Sequence, residues 1–132
     1  MESKVFEYDT SRTTFLDITR DVETVIGGSS GLLNVFAPHA TAGIAIIETG
    51  SGSEEDLGEA IDRLLPRDDR YRHSHGSKGH GADHVLPAFV SPSVTLPVID
   101  GRLSLGTWQS VVLVDTNRDN PRRKVRVSFL GD

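Results

Sequence analysis

Apolar residues in this chain recur mostly at every second position or in short unbroken runs, and take helical spacing in only two places. Residues 4–8 and 13–18 read as strands carried by Val5, Phe6, Phe15, Leu16 and Ile18. Ile18, Val22, Val25 and Ile26 then fall at helical spacing, with Asp17 or Thr19 available as a cap and Gly27-Gly28 as a stop. Residues 31–37 and 42–48 read as two further strands, joined by the tight connection Pro38-His39-Ala40-Thr41. The second is apolar almost throughout, which predicts a strand inside a sheet covered on both faces. The clearest helix follows. Ser53 is its expected N-cap, and Glu54, Glu55 and Asp56 suit the positive end of its dipole. Leu57, Ile61, Leu64 and Leu65 form one face, and Pro66 ends it.

Residues 67–83 break the pattern: they are polar and glycine-rich and hold three of the five histidines. A connection of that length is usually functional or disordered. Strands resume at 93–98, where Val94, Leu96 and Val98 alternate, and Asp100-Gly101 is a hairpin signal. Residues 102–105, 108–115 and 123–130 complete a β-rich end. In the last strand Val125, Val127 and Phe129 alternate with Lys124, Arg126 and Ser128, which predicts one wet face. The pattern as a whole predicts one α+β domain over residues 1–132, without internal repeat or linker.

Composition sharpens this picture by exclusion. With 36% hydrophobic and 25% charged residues the chain has the make-up of a folded domain. It has no cysteine, so disulfides and thiolate metal sites are excluded. The formal net charge of −5 argues against general nucleic-acid binding. Met1-Glu2-Ser3-Lys4 lacks the apolar run of a signal peptide, and no stretch approaches the roughly 20 apolar residues of a membrane span. The expectation is a cytoplasmic protein with no membrane and no nucleic-acid partner.

The strongest chemical signal is histidine. His39 follows a strand, and His73, His75, His80 and His84 fall within twelve positions. Neutral imidazole suits zinc and similar metals, and a catalytic site needs about three protein ligands and an open position. The spacing is not the helix-borne HExxH pattern, and a loop of solvated histidines accounts for it as well. Glycines 76, 79 and 81 could turn backbone N–H groups toward an anion, or simply loosen the loop. Glu48 ends an apolar strand, where an unpartnered carboxylate is costly to bury; it is a candidate base or ligand, or a strand end reaching water. Trp108 and Gln109 open a strand as core or as a substrate platform, and Arg122-Arg123 as a solvated basic edge.

Several of these pieces, in order, resemble the YjbQ-like family. They are Pro38-His39-Ala40-Thr41-Ala42-Gly43, Glu48, Leu65-Pro66, Tyr71-Arg72-His73 and Gly81-Ala82-Asp83-His84. The match continues through Ser93-Val94-Thr95-Leu96-Pro97, Gly101-Arg102-Leu103, Leu105-Gly106-Thr107-Trp108-Gln109 and Pro121-Arg122-Arg123. The resemblance runs roughly from residue 5 to 131. It implies a two-sheet, β-rich α+β sandwich with two main helices, assembled as a homotrimer. It also implies a histidine-lined site, often metal-associated, at the positions of His39, His73 and His84, with zinc or magnesium as the divalent ion. Thr41, Trp108, Gln109 and Arg122 stand at positions that would meet a small anionic substrate. The activity attributed to the family is a secondary thiamine-phosphate synthase, in which a thiazole phosphate displaces pyrophosphate from a pyrimidine-methyl pyrophosphate.

The chain departs from the family pattern twice. Where relatives read His-x-Lys-Ser-Ser, it has His84-Val85-Leu86-Pro87-Ala88; where they read Asn-Glu-Asn, it has Ile47-Glu48-Thr49. The missing lysine and hydroxyls are phosphate-binding groups. Two other functions therefore stand beside the synthase: a metal-dependent hydrolase of an ester or phosphate, and a non-catalytic trimer binding a metal or metabolite. Glu48 and Asp83 are the candidate catalytic carboxylates. Asp83, beside a candidate ligand, is expected to orient His84 or act on a bound water; the alternative is that it caps a helix beginning at His84.

Overall fold

The alternating C-terminal segment forms the longest strand of the fold. In the computed structural model, which describes residues 1–132, β8 (Arg122–Gly131) lies between β1 (Glu2–Asp9) and β3 (Gly31–Phe36), antiparallel to both. β5 (Ser93–Ile99) pairs with β3, and β6 (Arg102–Leu103) closes this five-stranded sheet in the order β1-β8-β3-β5-β6. Val125, Val127 and Phe129 point inward and Lys124 and Arg126 outward, as the alternation requires. The turn between β5 and β6 is Asp100-Gly101, both in the left-handed region (φ 51° and 78°), which suits the twist of a two-residue hairpin.

The second sheet has three antiparallel strands: β2 (Phe15–Asp17), β7 (Ser110–Val114) and β4 (Gly43–Ile47), with β7 in the middle. Residues 111–114 of β7 are all fully buried because its two faces meet different layers. Val111 and Leu113 join Leu33, Val35, Val125 and Val127 in the core between the sheets. Val112 and Val114 join Ile61, Leu65 and Leu86 in a smaller core under the helices. Each such side chain contributes about 1.5–3 kcal/mol by leaving water, so β7 anchors both layers. The expected two-sheet sandwich is therefore observed, with a helical layer on the smaller sheet.

Both expected helices are present, α1 (Thr19–Glu23) and α2 (Ser53–Leu64), and a short third is added, α3 (His80–Val85), running into a 3-10 turn at Leu86–Ala88. α3 lies partly inside the stretch expected to be a loop. Its six residues are too few to show a periodic apolar face. Two further expectations change. Strand 42–48 becomes β4, an edge strand. Its unbroken apolar run arises because Ile44 and Ile46 face one core and Ala45 and Ile47 the other. Part of its open edge is met by the chain at Ser91, whose carbonyl accepts the Ile44 N–H at 2.7 Å. Ser53 is the first residue of α2, not its cap. Gly52 precedes it, and the Glu54 carboxylate reaches back to accept the Gly50 N–H at 3.0 Å.

Candidate metal centre

The site is built outward from a buried carboxylate. Asp83 in α3 is fully buried and accepts both arms of the Arg67 guanidinium, at 2.6 and 3.1 Å. The Thr116 hydroxyl donates to it at 2.6 Å and the Asn117 amide at 3.2 Å. Arg67 follows α2, and Thr116 and Asn117 follow β7, so one carboxylate ties α3 to both flanking segments. Gly79, just before α3, has φ 87°, and a Cβ there would lie 2.5 Å from the Arg67 guanidinium. Glycine is thus required both for the left-handed turn and for the arginine's seat.

This anchoring sets the histidines. His80 and His84, four residues apart, lie on one face of α3, with their Nε2 atoms 3.0 Å apart. His73 reaches the same place from the preceding loop; its ring centre is 3.9 Å from that of His84 and 5.0 Å from that of His80. One ligand nitrogen from each of His73, His80 and His84 lies within 4.8 Å of the other two. The Asp119 carboxylate lies 2.9 Å from His80 Nδ1 and also accepts the Ser77 N–H at 3.1 Å. Nδ1–H donating to Asp119 leaves His80 Nε2 bare, the form a metal ligand takes when a carboxylate holds its other nitrogen. Hydrogen bonds from Ser77 hold the Asp119 carboxyl below its ordinary pKa. His84 is also pushed down, first by desolvation and then by the charges His73, His80 and His75 would carry. His73 is lowered by desolvation and by His75 and His80. The imidazoles of His73 and His84 are therefore biased toward the neutral, ligating form. The clustered donors are all nitrogen, a set that fits zinc and its transition-metal neighbours and not magnesium, which takes oxygen.

The three histidines expected to meet were His39, His73 and His84; His80 stands where His39 was expected. His39 Nε2 instead accepts the Lys124 N–H at 2.9 Å. Extending the β3–β8 register two residues past Phe36↔Arg126 puts Pro38 opposite Lys124. Proline has no N–H to offer the Lys124 carbonyl, so the regular ladder ends here, and His39 Nε2 also lies 3.1 Å from that carbonyl oxygen. Asp83 neither orients His84 nor caps a helix: it lies inside α3, and its oxygens are taken by Arg67, Thr116 and Asn117. The carboxylate beside a ligand is Asp119. Glu48 follows β4, half-buried and outside the histidine group. Thr41 is buried, its hydroxyl accepting from Arg123 at 2.7 Å. Trp108 is 72% exposed, and the Gln109 side chain is bound to the Gly106 N–H at 2.7 Å. Arg122 is exposed, whereas Arg123 is buried in a fork with Asp115 at 2.7 and 2.9 Å. His80, Asp119 and Arg123 are what the sequence reading missed. The alternation Asp115-x-Asn117-x-Asp119 after an apolar strand was the one available signal.

The family model described as "UPF0047 protein YjbQ-like" matches residues 4–132. The chain belongs to the YjbQ-like family. It is 63% identical over 131 residues to a UPF0047 protein of Mycobacterium tuberculosis, covering 98% of each. It is 34% identical over 128 residues to the UPF0047 protein YugU of Bacillus subtilis, covering 92% of this chain and 93% of that one. Among solved structures, a hypothetical protein of Aeropyrum pernix K1 superposes with a TM-score of 0.88 at 35% identity, each chain covered in full. A YbjQ-like protein of unknown function from Sulfolobus solfataricus P2 gives 0.86 at 27% identity, with 98% and 99% covered. The two-sheet architecture is thus that of the YjbQ-like fold.

Proposed function

We propose that this YjbQ-like protein is a metal-dependent enzyme acting on a small phosphate-bearing substrate, with a zinc-type ion held by His73, His80 and His84. The observation that carries this is the convergence of three imidazole nitrogens within 4.8 Å, one of them backed by a carboxylate. Such an ion supplies Lewis-acid stabilisation of a charged oxygen. Beside the histidines lies an open cleft of about 300 Å³ lined by Ser74, Ser77 and Lys78, and also by Asp69 and by Asp68, the latter paired with Arg70. Beside those carboxylates the Lys78 ammonium and the serine hydroxyls offer a substitute for the lysine and serines missing after His84. Leu86, at the lysine's position, is instead buried in the core beneath the helices.

The specific reaction we assign is thiamine-phosphate formation, which rests on the family resemblance. The thiazole nitrogen bonds to the pyrimidine methylene as the methylene–oxygen bond breaks. Pyrophosphate leaves with the bonding pair, and its growing charge needs cations in place. Asp83 has its oxygens engaged by Arg67, Thr116 and Asn117, which supports the synthase over the hydrolase.

The protein is also proposed to be a homotrimer. In support, Leu32, Leu130 and Ile99 are each more than half exposed on the outer face of the larger sheet, and Leu32 pairs with both Leu130 and Pro97. An apolar row of that kind favours cover by another subunit; light scattering reporting a monomer would refute it.

The test is pyrophosphate release from the two substrates by protein of known metal content. Wild type is expected to carry about one ion per chain and to release pyrophosphate, and His84→Ala to lose both. Wild-type protein that binds no transition metal and releases none would overturn the assignment.

A further inference from the structure

The histidine cluster holds a fourth ring. His75 has its ring centre 4.2 Å from that of His73, 4.8 Å from that of His80 and 6.5 Å from that of His84. Four imidazoles sharing one ion, each bonded at about 2.0–2.1 Å, have ring centres spaced by about 5 Å. Five of the six spacings here lie between 3.9 and 5.0 Å. The His75–His84 edge is longer than that spacing by roughly 1.5 Å and two His73 edges are shorter by roughly 1 Å, and only His73, His80 and His84 already bring ligand nitrogens within 4.8 Å of one another.

The four rings are anchored unequally. His80 and His84 are fixed by α3, and His80 is pinned by Asp119. His75 is exposed, and the next residue is Gly76 at φ 84°. A Cβ on Gly76 would lie 2.7 Å from the Asp119 carboxylate and 3.0 Å from the His80 ring. Glycine at 76 thus lets the chain turn directly against the His80–Asp119 pair, bringing His75 to the open side of the cluster.

We propose that His75 is a displaceable fourth ligand: it closes the centre with a fourth nitrogen when the cleft is empty, and gives way to an oxygen of the anionic substrate. This rests on the metal reading above. Closed four-ligand centres are the inert, structural kind, and centres with three protein ligands and an open position the reactive kind. A shift of one loop ring interconverts them. A closed four-nitrogen set would hold transition ions in the resting protein and leave magnesium unbound.

Cobalt(II) titration into the metal-free full-length protein tests this, because its visible absorption reports coordination number without any turnover. Wild type is expected to take up one cobalt with the intense spectrum of a four-coordinate nitrogen site. Added inorganic pyrophosphate should change that spectrum. His75→Ala should still bind one cobalt, with a weaker spectrum that no longer resembles the four-nitrogen form. Its affinity should fall by at least the about 10–100-fold that loss of an outer-shell partner costs. Circular dichroism of His75→Ala checks that the exposed substitution leaves the fold intact. A His75→Ala spectrum and affinity equal to wild type would overturn the role of His75 while leaving the three-histidine centre standing. Wild type that takes up no cobalt would overturn both.

Discussion

Two histidine-bearing polar regions lie at opposite ends of one loop, and they behave differently. Around His39 the buried charges answer one another. Arg123 forks onto Asp115, Thr10 donates to Asp115 at 2.6 Å, Thr41 accepts from Arg123, and His39 takes the Lys124 N–H. Around His80 like groups face each other: its Nε2 meets that of His84 at 3.0 Å, with two further imidazoles at stacking distance. The first is a knot that completes itself. The second gathers like imidazole donors in one place, a set that suits a transition ion. Residues 115–120 join the two. Asp115 belongs to the knot, and Asp119 holds His80. Asn117 lies between, its carbonyl oxygen accepting the Asp119 N–H at 2.9 Å and its amide donating to Asp83.

The sharpest way to separate the regions is to break the knot. Arg123 and Asp115 have side chains 2% and 0% exposed, and removing one partner of such a pair costs about 3–5 kcal/mol. Arg123→Ala should lower the unfolding free energy measured by urea titration by that amount, while metal bound per folded chain stays unchanged. Loss of metal without loss of stability would make the knot part of the site.

A smaller effect belongs to the tether. Asp119→Asn keeps shape and removes the charge behind His80, so metal affinity should fall by about 10–100-fold with little change in melting temperature. Unchanged affinity would mean that Asp119 only shapes the loop.

The smallest effect is on pH. His73 and His84 have pKa values below the ordinary histidine value of 6.5, so the unfolded chain binds these protons more readily than the folded one. Their contribution is therefore neutral above pH 6.5 and destabilises the metal-free fold as pH falls through the unfolded value toward the lowered folded ones. Denaturant unfolding of metal-free protein at pH 7.5 and 5.5 should show this loss, and a His73→Gln/His84→Gln double variant should show less of it. An equal loss in both would place the pH dependence elsewhere, for example at His39, which desolvation and Arg123 also push down.

Much of the fold was legible because it rests on local pattern. The alternation of β8, the Asp100-Gly101 turn and the apolar face of α2 each depend on near neighbours in sequence. α3 was not legible, because a six-residue helix with a glycine in it is held by Arg67 and Thr116, far away in sequence. The site divides in the same way. His73 and His84 stood out by their motifs. The exchange of His80 for His39 depends on a strand register and on Pro38 lacking an N–H, and Asp83 is claimed by an arginine sixteen residues back. Such facts appear only once the chain is folded.

The central claim is that His80, and not His39, completes the trio with His73 and His84. Elemental analysis of His80→Ala and His39→Ala, purified side by side and reloaded with equal zinc, tests it directly. His80→Ala is predicted to retain little or no ion, and His39→Ala to retain about one per chain, as wild type does. Loss of the ion from His39→Ala with full occupancy in His80→Ala would contradict the account.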